Sequence, residues 1–120
     1  MILGIGSDLV QRDRVKAIYE KYDKRFLDKV LSDFEKKEFI KLKENAKVNF
    51  LCSSFAAKEA FVKALGTGFR GIYPSDISIE KDDLGKPSIR SSKTEATKNH
   101  LSITNTDSYT WSFVVIEKWT

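Results

Sequence analysis

The sequence contains one cysteine, one histidine and two prolines, and it has no long run of apolar residues. A single cysteine, Cys52, excludes an internal disulfide framework and suits a reducing compartment. A lone histidine, His100, supports neither a zinc site nor a serine–histidine–aspartate triad. No segment approaches the ~20 apolar residues that a membrane-spanning helix needs, and no secretion signal opens the sequence. We therefore expect a soluble, cytoplasmic protein that does not bind a membrane.

What is present suffices for a folded core. The 120 residues are 41% hydrophobic and 12% aromatic, which argues against disorder and predicts a single domain over residues 1–120. The net charge of +4 is unevenly distributed, because the segment from Arg12 to Lys29 contains seven basic and four acidic residues. This excess indicates an acidic partner, such as nucleic acid, a phosphate-bearing ligand or an acidic protein. A solvated helix face is the alternative interpretation.

Hydrophobic periodicity predicts an α+β fold with helices packed on a mainly antiparallel sheet. A first strand is expected over Ile2–Asp8, with Gly4, Gly6 and Asp8 sharing one face and apolar residues on the other. The glycines would let a ligand or a second backbone come close. The other predicted elements are helices at Arg12–Tyr22 and Val48–Leu65, a helix after the Ser32–Glu35 capping box, a hairpin of Ile77–Ile79 with Pro87–Arg90, a short helix at Thr94–Lys98, and a hairpin of His100–Asn105 with Tyr109–Trp119.

The second half of the long helix is the most informative stretch. Its apolar stripe, which we expect to face the core, consists of Leu51, Phe55, Val62 and Leu65. Glu59 and Lys63 lie one turn apart on a neighbouring face with the small residues Cys52 and Ala56. Two interpretations remain open. The pair is either an ordinary solvated Glu–Lys pair, or part of a short charged face that another molecule approaches closely.

The segment from Gly66 to Gly71 matches the pattern G-x-G-x-x-G. In dinucleotide-binding proteins this pattern follows a strand and opens a helix. Here it follows a helix, so we reject it as a nucleotide fingerprint. Cys52 has no catalytic partner nearby in sequence, and we interpret it as a packing residue.

Asp8 and Glu59 are carboxylates on two separate elements, and Lys63 lies beside Glu59. Two hard oxygen ligands suit Mg²⁺, which in proteins usually takes one or two carboxylates together with phosphates and water. A lysine one turn away adds positive charge for the same phosphates. The residues alone therefore favour a magnesium–diphosphate site. Asp8 could instead cap the following helix, but Asp13 could serve as that cap and leave Asp8 free.

Several motifs occur together in order along the whole chain, and as a set they resemble the holo-acyl-carrier-protein synthase family of 4′-phosphopantetheinyl transferases. No single motif would suffice. The motifs are Gly4-Ile-Gly-Ser-Asp-Leu-Val10, Phe55-Ala-Ala-Lys-Glu-Ala60, Lys63-Ala-Leu-Gly-Thr-Gly68, Asp76-Ile-Ser-Ile79, Gly85-Lys-Pro87 and His100-Leu-Ser-Ile-Thr104.

The resemblance implies a reaction and an assembly. The family transfers 4′-phosphopantetheine from coenzyme A to a serine of apo acyl carrier protein, in support of fatty acid biosynthesis, and releases adenosine 3′,5′-bisphosphate. It requires Mg²⁺ and generally forms homotrimers with active sites between subunits. The aromatic and apolar residues expected to supply the trimer surface are Phe69, Ile72, Tyr73, Trp111, Phe113 and Trp119.

By position, the resemblance also implies residue roles. Asp8 and Glu59 match the metal ligands, and Lys63 matches a phosphate-contacting lysine. Apart from the resemblance, Glu59 acting through a metal-bound water is the first candidate for the general base. Arg14 matches a basic residue that docks the acidic carrier protein, on a helix that also carries Arg12 and Lys16. The expected substrate-binding residues are Lys63, Gly66, Thr67, Gly68, Lys86 and Pro87.

Two motifs depart from the family pattern, at three positions in all. Ser54 stands where an arginine is common, and Thr104 and Asn105 replace the usual Ser-His. A phosphate contact would then be weaker, or made by Arg70, Lys86 or Arg90. Two alternatives remain: a nucleic-acid-binding module, suggested by the basic isoelectric point and the aromatic last hairpin, and an impaired relative that keeps the fold and trimer.

Overall fold

The computed structural model describes residues 1–94 and 97–119. Its helices are α1 (Arg12–Tyr22), α2 (Lys24–Val30), α3 (Asp33–Phe39) and α4 (Glu44–Leu65), with a 3-10 turn at Pro74–Asp76. Its strands are β1 (Ile2–Gln11), β2 (Ile77–Lys81), β3 (Pro87–Ser91), β4 (Thr97–Asn105) and β5 (Tyr109–Lys118). No helix among these residues is long and apolar enough to cross a membrane.

The strands form two antiparallel sheets. One has the order β1-β5-β4, and the other is the β2–β3 hairpin. The long helix α4 packs on one face of the three-stranded sheet, mainly on β1 and β5. The predicted α+β class, with helices on a mainly antiparallel sheet, is therefore confirmed.

Glycines on β1 allow α4 to lie against the strand backbone. A Cβ atom at Gly4 would lie 1.9 Å from the carbonyl oxygen of Ala64, and one at Gly6 would lie 2.1 Å from that of Ala60. No real Cβ tolerates such distances, so only glycine permits this approach at either position. The glycine face of β1 predicted from sequence is the face that receives the helix.

Side chains of the three-stranded sheet alternate between α4 and solvent. On β5, the buried residues Thr110, Ser112, Val114 and Ile116 face α4. The Ser112 hydroxyl donates a hydrogen bond to the Ala56 carbonyl across this contact, at 2.6 Å. The opposite face, called the outer sheet face below, carries accessible apolar residues: Leu3, Ile5, Leu9, Trp111, Phe113 and Val115.

The core has two clusters, one towards each end of α4. The first contains Phe61, Val62, Ile77, Val114 and Ile116, and the second contains Val15, Leu31, Phe39, Leu51 and Cys52. The predicted stripe is only partly correct, because Leu51 and Val62 are buried while Phe55 and Leu65 are half-buried. The neighbouring face is also less open than expected, since Cys52 and Ala56 are fully buried.

Helix boundaries reveal which polar residues act as caps. Ser32 and Glu35 form the predicted capping box of α3, with backbone–side-chain distances of 2.9 and 3.2 Å. Neither Asp8 nor Asp13 caps α1, because its N-cap residue is Gln11 and no side chain caps it. Asp8 instead lies within β1, which runs three residues beyond the predicted end.

Two sequence predictions are wrong in the described residues. The helix over Thr94–Lys98 does not form, because Thr97 and Lys98 already belong to β4 and pair with β5; Glu95 and Ala96 lie outside the described residues. Long-range strand pairing thus overrides weak local helix preference. The helix predicted from Val48 begins four residues earlier, at Glu44.

The aromatic and apolar residues expected on the trimer surface divide into two groups. Ile72 is only 4% exposed and Phe69 packs against the first core cluster, so these two stabilise the fold instead. The segment that follows α4 curls back over the core, which the sequence alone did not indicate. Tyr73, Trp111 and Trp119 are exposed, as expected.

Replacing Gly6 by alanine tests the close approach of α4 to β1. Gly6→Ala forces a Cβ into the Ala60 carbonyl oxygen, and we expect a loss of about 1–3 kcal/mol in the free energy of unfolding, as for other overpacked sites. The matched control is Ser7→Ala on the exposed side of the same strand, expected to stay within about 0.5 kcal/mol of the parent. Denaturant unfolding measures both, and equal stability of the two variants would contradict this packing.

Candidate active site

Lys63 reaches from α4 across to β1. Its Nζ atom lies 3.2 Å from the Asp8 carboxylate and 3.1 Å from the Ser7 carbonyl oxygen. The Lys63 side chain is 53% exposed and that of Asp8 is 16% exposed. An ion pair this open to solvent contributes at most about 1 kcal/mol to stability. Its location beside a second carboxylate is therefore more informative than its strength.

Glu59 lies one helical turn before Lys63 and is half-buried. Burial raises the pKa of the Glu59 carboxyl, the Asp8 carboxylate raises it further, and Lys63 acts in the opposite direction. The Coulombic effect of Asp8 means that the two carboxylates share one electrostatic environment. The structure thus brings together Asp8, Glu59 and Lys63, although Asp8 and Lys63 are 55 residues apart in sequence.

This group of side chains fits a divalent cation. Two neighbouring carboxylates repel each other, and a bound cation would relieve that repulsion. No cluster of three or more histidine, cysteine, aspartate or glutamate residues exists in the described ranges. An ion held by Asp8 and Glu59 would therefore take its other ligands from water or from substrate oxygens, which is how Mg²⁺ is commonly bound.

The segment from Gly66 to Gly68 continues directly from α4. Gly66 ends the helix in the left-handed conformation with φ 79°, and its N–H donates to the Val62 carbonyl at 3.1 Å. Gly68 also has positive φ, and Thr67 between them is exposed. This loop lies at the carboxyl end of a helix, where no helix N-terminus is available for a dinucleotide. The geometry agrees with rejecting the G-x-G-x-x-G match.

The remaining predicted site residues lie elsewhere. Lys86 and Pro87 are at the tip of the β2–β3 hairpin, where the Asp82 carboxylate accepts the Lys86 N–H at 2.9 Å. Within the described part of the chain, no hydrogen bond or ion pair links them to the Asp8, Glu59 and Lys63 group. Arg14 is exposed on α1 beside the buried Val15.

Cys52 and His100, which sequence analysis excluded as catalytic residues, have surroundings that agree with that exclusion. Cys52 is buried in α4, and burial raises the pKa of its thiol, so it is not poised as a nucleophile. His100 contacts the Glu117 carboxylate at 2.6 Å, on the sheet face that points away from α4.

Comparison with known proteins identifies the family. Residues 4–114 match the family described as the 4′-phosphopantetheinyl transferase superfamily. This chain is a holo-acyl-carrier-protein synthase family member. A holo-[acyl-carrier-protein] synthase of Geobacillus sp. is 40% identical, and that of Bacillus subtilis is 42% identical, each over 98% of both chains. The crystal structure of a holo-(acyl-carrier-protein) synthase from Bacillus anthracis, in complex with CoA (3′,5′-ADP), superposes with a TM-score of 0.90 at 32% identity and covers 99% of both chains.

The two departures from the synthase pattern have defined places in this structure. Ser54 is buried, and its hydroxyl donates to the Glu35 carboxylate at 2.7 Å. The Asn105 side chain accepts a hydrogen bond from Thr110. Both residues line a cavity of about 510 Å³. Three residues were suggested above to replace a missing phosphate contact. Arg90 already donates hydrogen bonds to Glu80 at 2.7 and 2.9 Å, and the other two, Arg70 and Lys86, are exposed.

Sequence reasoning missed the environment of Lys58, although a signal was present. Leu51, Lys58 and Leu65 are spaced seven residues apart, which places Lys58 within the stripe predicted to face the core. A lysine in that position requires a buried acidic partner. The partner is Glu35 on α3, and both side chains are fully buried.

Proposed function

We propose that this chain transfers 4′-phosphopantetheine from coenzyme A to a serine of apo acyl carrier protein, releasing adenosine 3′,5′-bisphosphate. Membership of the synthase family supports the reaction class. The observation that carries the proposal is the group of Asp8, Glu59 and Lys63, in which Lys63 Nζ lies 3.2 Å from Asp8 beside a second carboxylate. With a divalent cation on the two carboxylates, this group would carry the positive charge that a diphosphate needs. The physiological role would be to supply holo-carrier for fatty acid biosynthesis in the cytoplasm.

The carboxylates of Asp8 and Glu59 would hold Mg²⁺. When bound there, the ion would supply neutralising charge for the diphosphate and help to align it. Lys63 would donate hydrogen bonds to the same phosphate oxygens, releasing its present contact with Asp8. The Gly66–Gly68 loop, Lys86 and Pro87 would contact other parts of coenzyme A.

Glu59 is the proposed general base. Its half-buried carboxylate lies beside Asp8 and Lys63, where it would take the serine proton through an intervening water molecule. The serine oxygen would form a bond to the phosphorus on the pantetheine side, while the bond to the bridging oxygen breaks. The serine proton would go to Glu59, and adenosine 3′,5′-bisphosphate would leave with the bridging oxygen.

The outer sheet face supplies a surface for the homotrimer. Leu9 and Ile5 are each 60% exposed on β1, where Leu9 pairs with Trp111 and Ile5 with Val115 of β5. A contiguous apolar patch of this kind on a soluble protein marks an interaction site. A second and third copy of the chain are the proposed occupants, as the family resemblance implies.

The helix α1 offers the docking surface for the carrier. Arg14 and Lys16 are exposed on it, and α1 follows directly after β1, which carries Asp8. Acyl carrier proteins are acidic. Attraction between the carrier and the basic face of α1 would steer the encounter and select the partner more than it affects the transfer step.

Removing either carboxylate tests the metal pair. Asp8→Asn and Glu59→Gln are each expected to abolish transfer while the thermal unfolding curve stays that of a folded protein. Asp107→Asn, an exposed carboxylate in the β4–β5 turn, is the matched control and should keep full activity. Chelation should likewise stop the parent enzyme, and added Mg²⁺ should restore it. Near-normal turnover in Asp8→Asn or Glu59→Gln at ordinary Mg²⁺ would exclude the pair.

Sedimentation at micromolar concentration tests the trimer and is expected to give three chains per particle. Leu9→Glu places a charge in the outer sheet face, so we expect smaller particles and loss of activity. Ile40→Glu, on a residue after α3 that is 74% exposed, should leave the trimer intact. An active monomer of the parent chain would refute a site shared between subunits.

Arg14→Glu tests carrier docking. It removes an attraction and adds a repulsion, so KM for the carrier should rise strongly while KM for coenzyme A changes little. Lys37→Glu on α3 makes the same change in net charge and should affect neither constant. Activity of the parent should fall with salt, because exposed charges are screened beyond about 10 Å at 0.1 M. If both KM values rise together, or if neither rises, α1 is not the docking surface.

A further inference from the structure

A buried group of charged and polar side chains, here called the buried charge network, joins α4 to three other elements. Lys58 on α4 donates to the Glu35 carboxylate and to the Val30 carbonyl at the end of α2. The same carboxylate accepts from Ser54 at 2.7 Å and from the β2 N–H of Ile79 at 3.2 Å. Ser32 completes it by donating its N–H to Glu35 at 2.9 Å.

The buried charge network leaves no buried polar side-chain atom without a hydrogen-bond partner. Glu35 accepts four hydrogen bonds across its two oxygens. No buried side-chain nitrogen or oxygen in the described residues lacks a partner. The Lys58–Glu35 pair is fully buried, whereas the Lys63–Asp8 pair is open to solvent. The buried polar side-chain atoms of the network are therefore all paired, and Lys58 is the sequence neighbour of Glu59 in the candidate active site.

Stability does not explain such a pair. Buried ion pairs lose hydration that their mutual attraction barely repays, and apolar replacements of similar volume are often as stable or more so. Breaking one partner alone is strongly unfavourable, because a charge is then buried without compensation. The pair therefore permits one arrangement of α4 and penalises neighbouring ones. Apolar contacts, such as those of Leu51 and Phe61, tolerate small rotations and shifts far better.

The positions of Lys58, Glu59 and Lys63 around α4 indicate what a fixed rotation of this helix controls. At about 100° per residue, Glu59 lies roughly 100° and Lys63 roughly 140° around the helix from Lys58. The network thus holds α4 on the side away from Lys63, while Gly4 and Gly6 of β1 contact the helix at Ala60 and Ala64. A rotation of α4 about its axis would break the network and at the same time move Glu59 and Lys63 relative to Asp8.

We infer that Lys58 and Glu35 are positioning residues for the transfer reaction, which set the rotation of α4 so that Glu59 and Lys63 face Asp8. Neither touches the reacting atoms. Ser54 belongs to the same buried charge network, because its hydroxyl donates a hydrogen bond to the Glu35 carboxylate. This inference rests on the proposed roles of Asp8, Glu59 and Lys63.

The test is the double variant Lys58→Met/Glu35→Gln, which removes both charges and leaves an acceptor oxygen at position 35. We expect a folded protein in which kcat falls roughly 10- to 100-fold, since a misplacement of about 1 Å can cost that much. KM for coenzyme A should change far less. A crystal structure of the variant should show Lys63 Nζ and Asp8 Oδ1 separated beyond the 3.2 Å seen here. Leu51→Ala, a buried truncation on the same helix, controls for lost stability and should lower the melting temperature with kcat unchanged.

A folded double variant with parental kcat and an intact Lys63–Asp8 contact would overturn the inference. If the double variant does not fold, Ser54→Ala decides, because it removes one hydrogen bond to Glu35 without burying a charge. A severalfold loss of kcat supports positioning, and an unchanged kcat refutes it. Asp8→Asn is assayed in parallel: an active Asp8→Asn enzyme contradicts the proposed site itself, whereas an inactive one beside a fully active double variant contradicts only the positioning role.

Discussion

The close contact between the backbone of β1 and α4 is the constraint on which the rest of the structure depends. It exists because Gly4 and Gly6 have no side chains where the carbonyls of Ala64 and Ala60 lie. With α4 this near to the strand, Lys63 reaches Asp8 and Glu59 comes within its electrostatic influence. A bulkier strand would move the helix outward and separate the two carboxylates. The candidate site is thus a consequence of packing, made from residues that the sequence keeps far apart.

The same contact explains the unusual distribution of apolar surface. Because the face of β1 towards α4 carries small and polar residues, the larger residues Leu3, Ile5 and Leu9 point the other way. The three-stranded sheet therefore has one face covered by a helix and a second face that no other element of residues 1–94 and 97–119 covers. Self-association would bury that second face. Catalysis and assembly would then depend on opposite sides of one strand.

Much of this could be predicted from sequence, where the signal is local or periodic. The glycine face of β1, the capping box at Ser32 and the placement of Glu59 and Lys63 one turn apart on one helix all follow from short-range rules. The predictions that failed required tertiary information. Thr97 and Lys98 join a strand because β5 is available to pair with them, and Ile72 is buried because the chain turns back over the core. The burial of Lys58 was missed although its spacing from Leu51 and Leu65 indicated it, and its acidic partner lies 23 residues away on another helix.

The most direct measurement is the intact mass of an apo acyl carrier protein after incubation with this chain, coenzyme A and Mg²⁺. Transfer predicts that the carrier gains the mass of one 4′-phosphopantetheine group, with an equal amount of adenosine 3′,5′-bisphosphate released. A carrier whose acceptor serine is replaced by alanine should remain unmodified. An unchanged mass of the native carrier, with the chain folded and Mg²⁺ in excess, would contradict the assignment of this chain as a phosphopantetheinyl transferase.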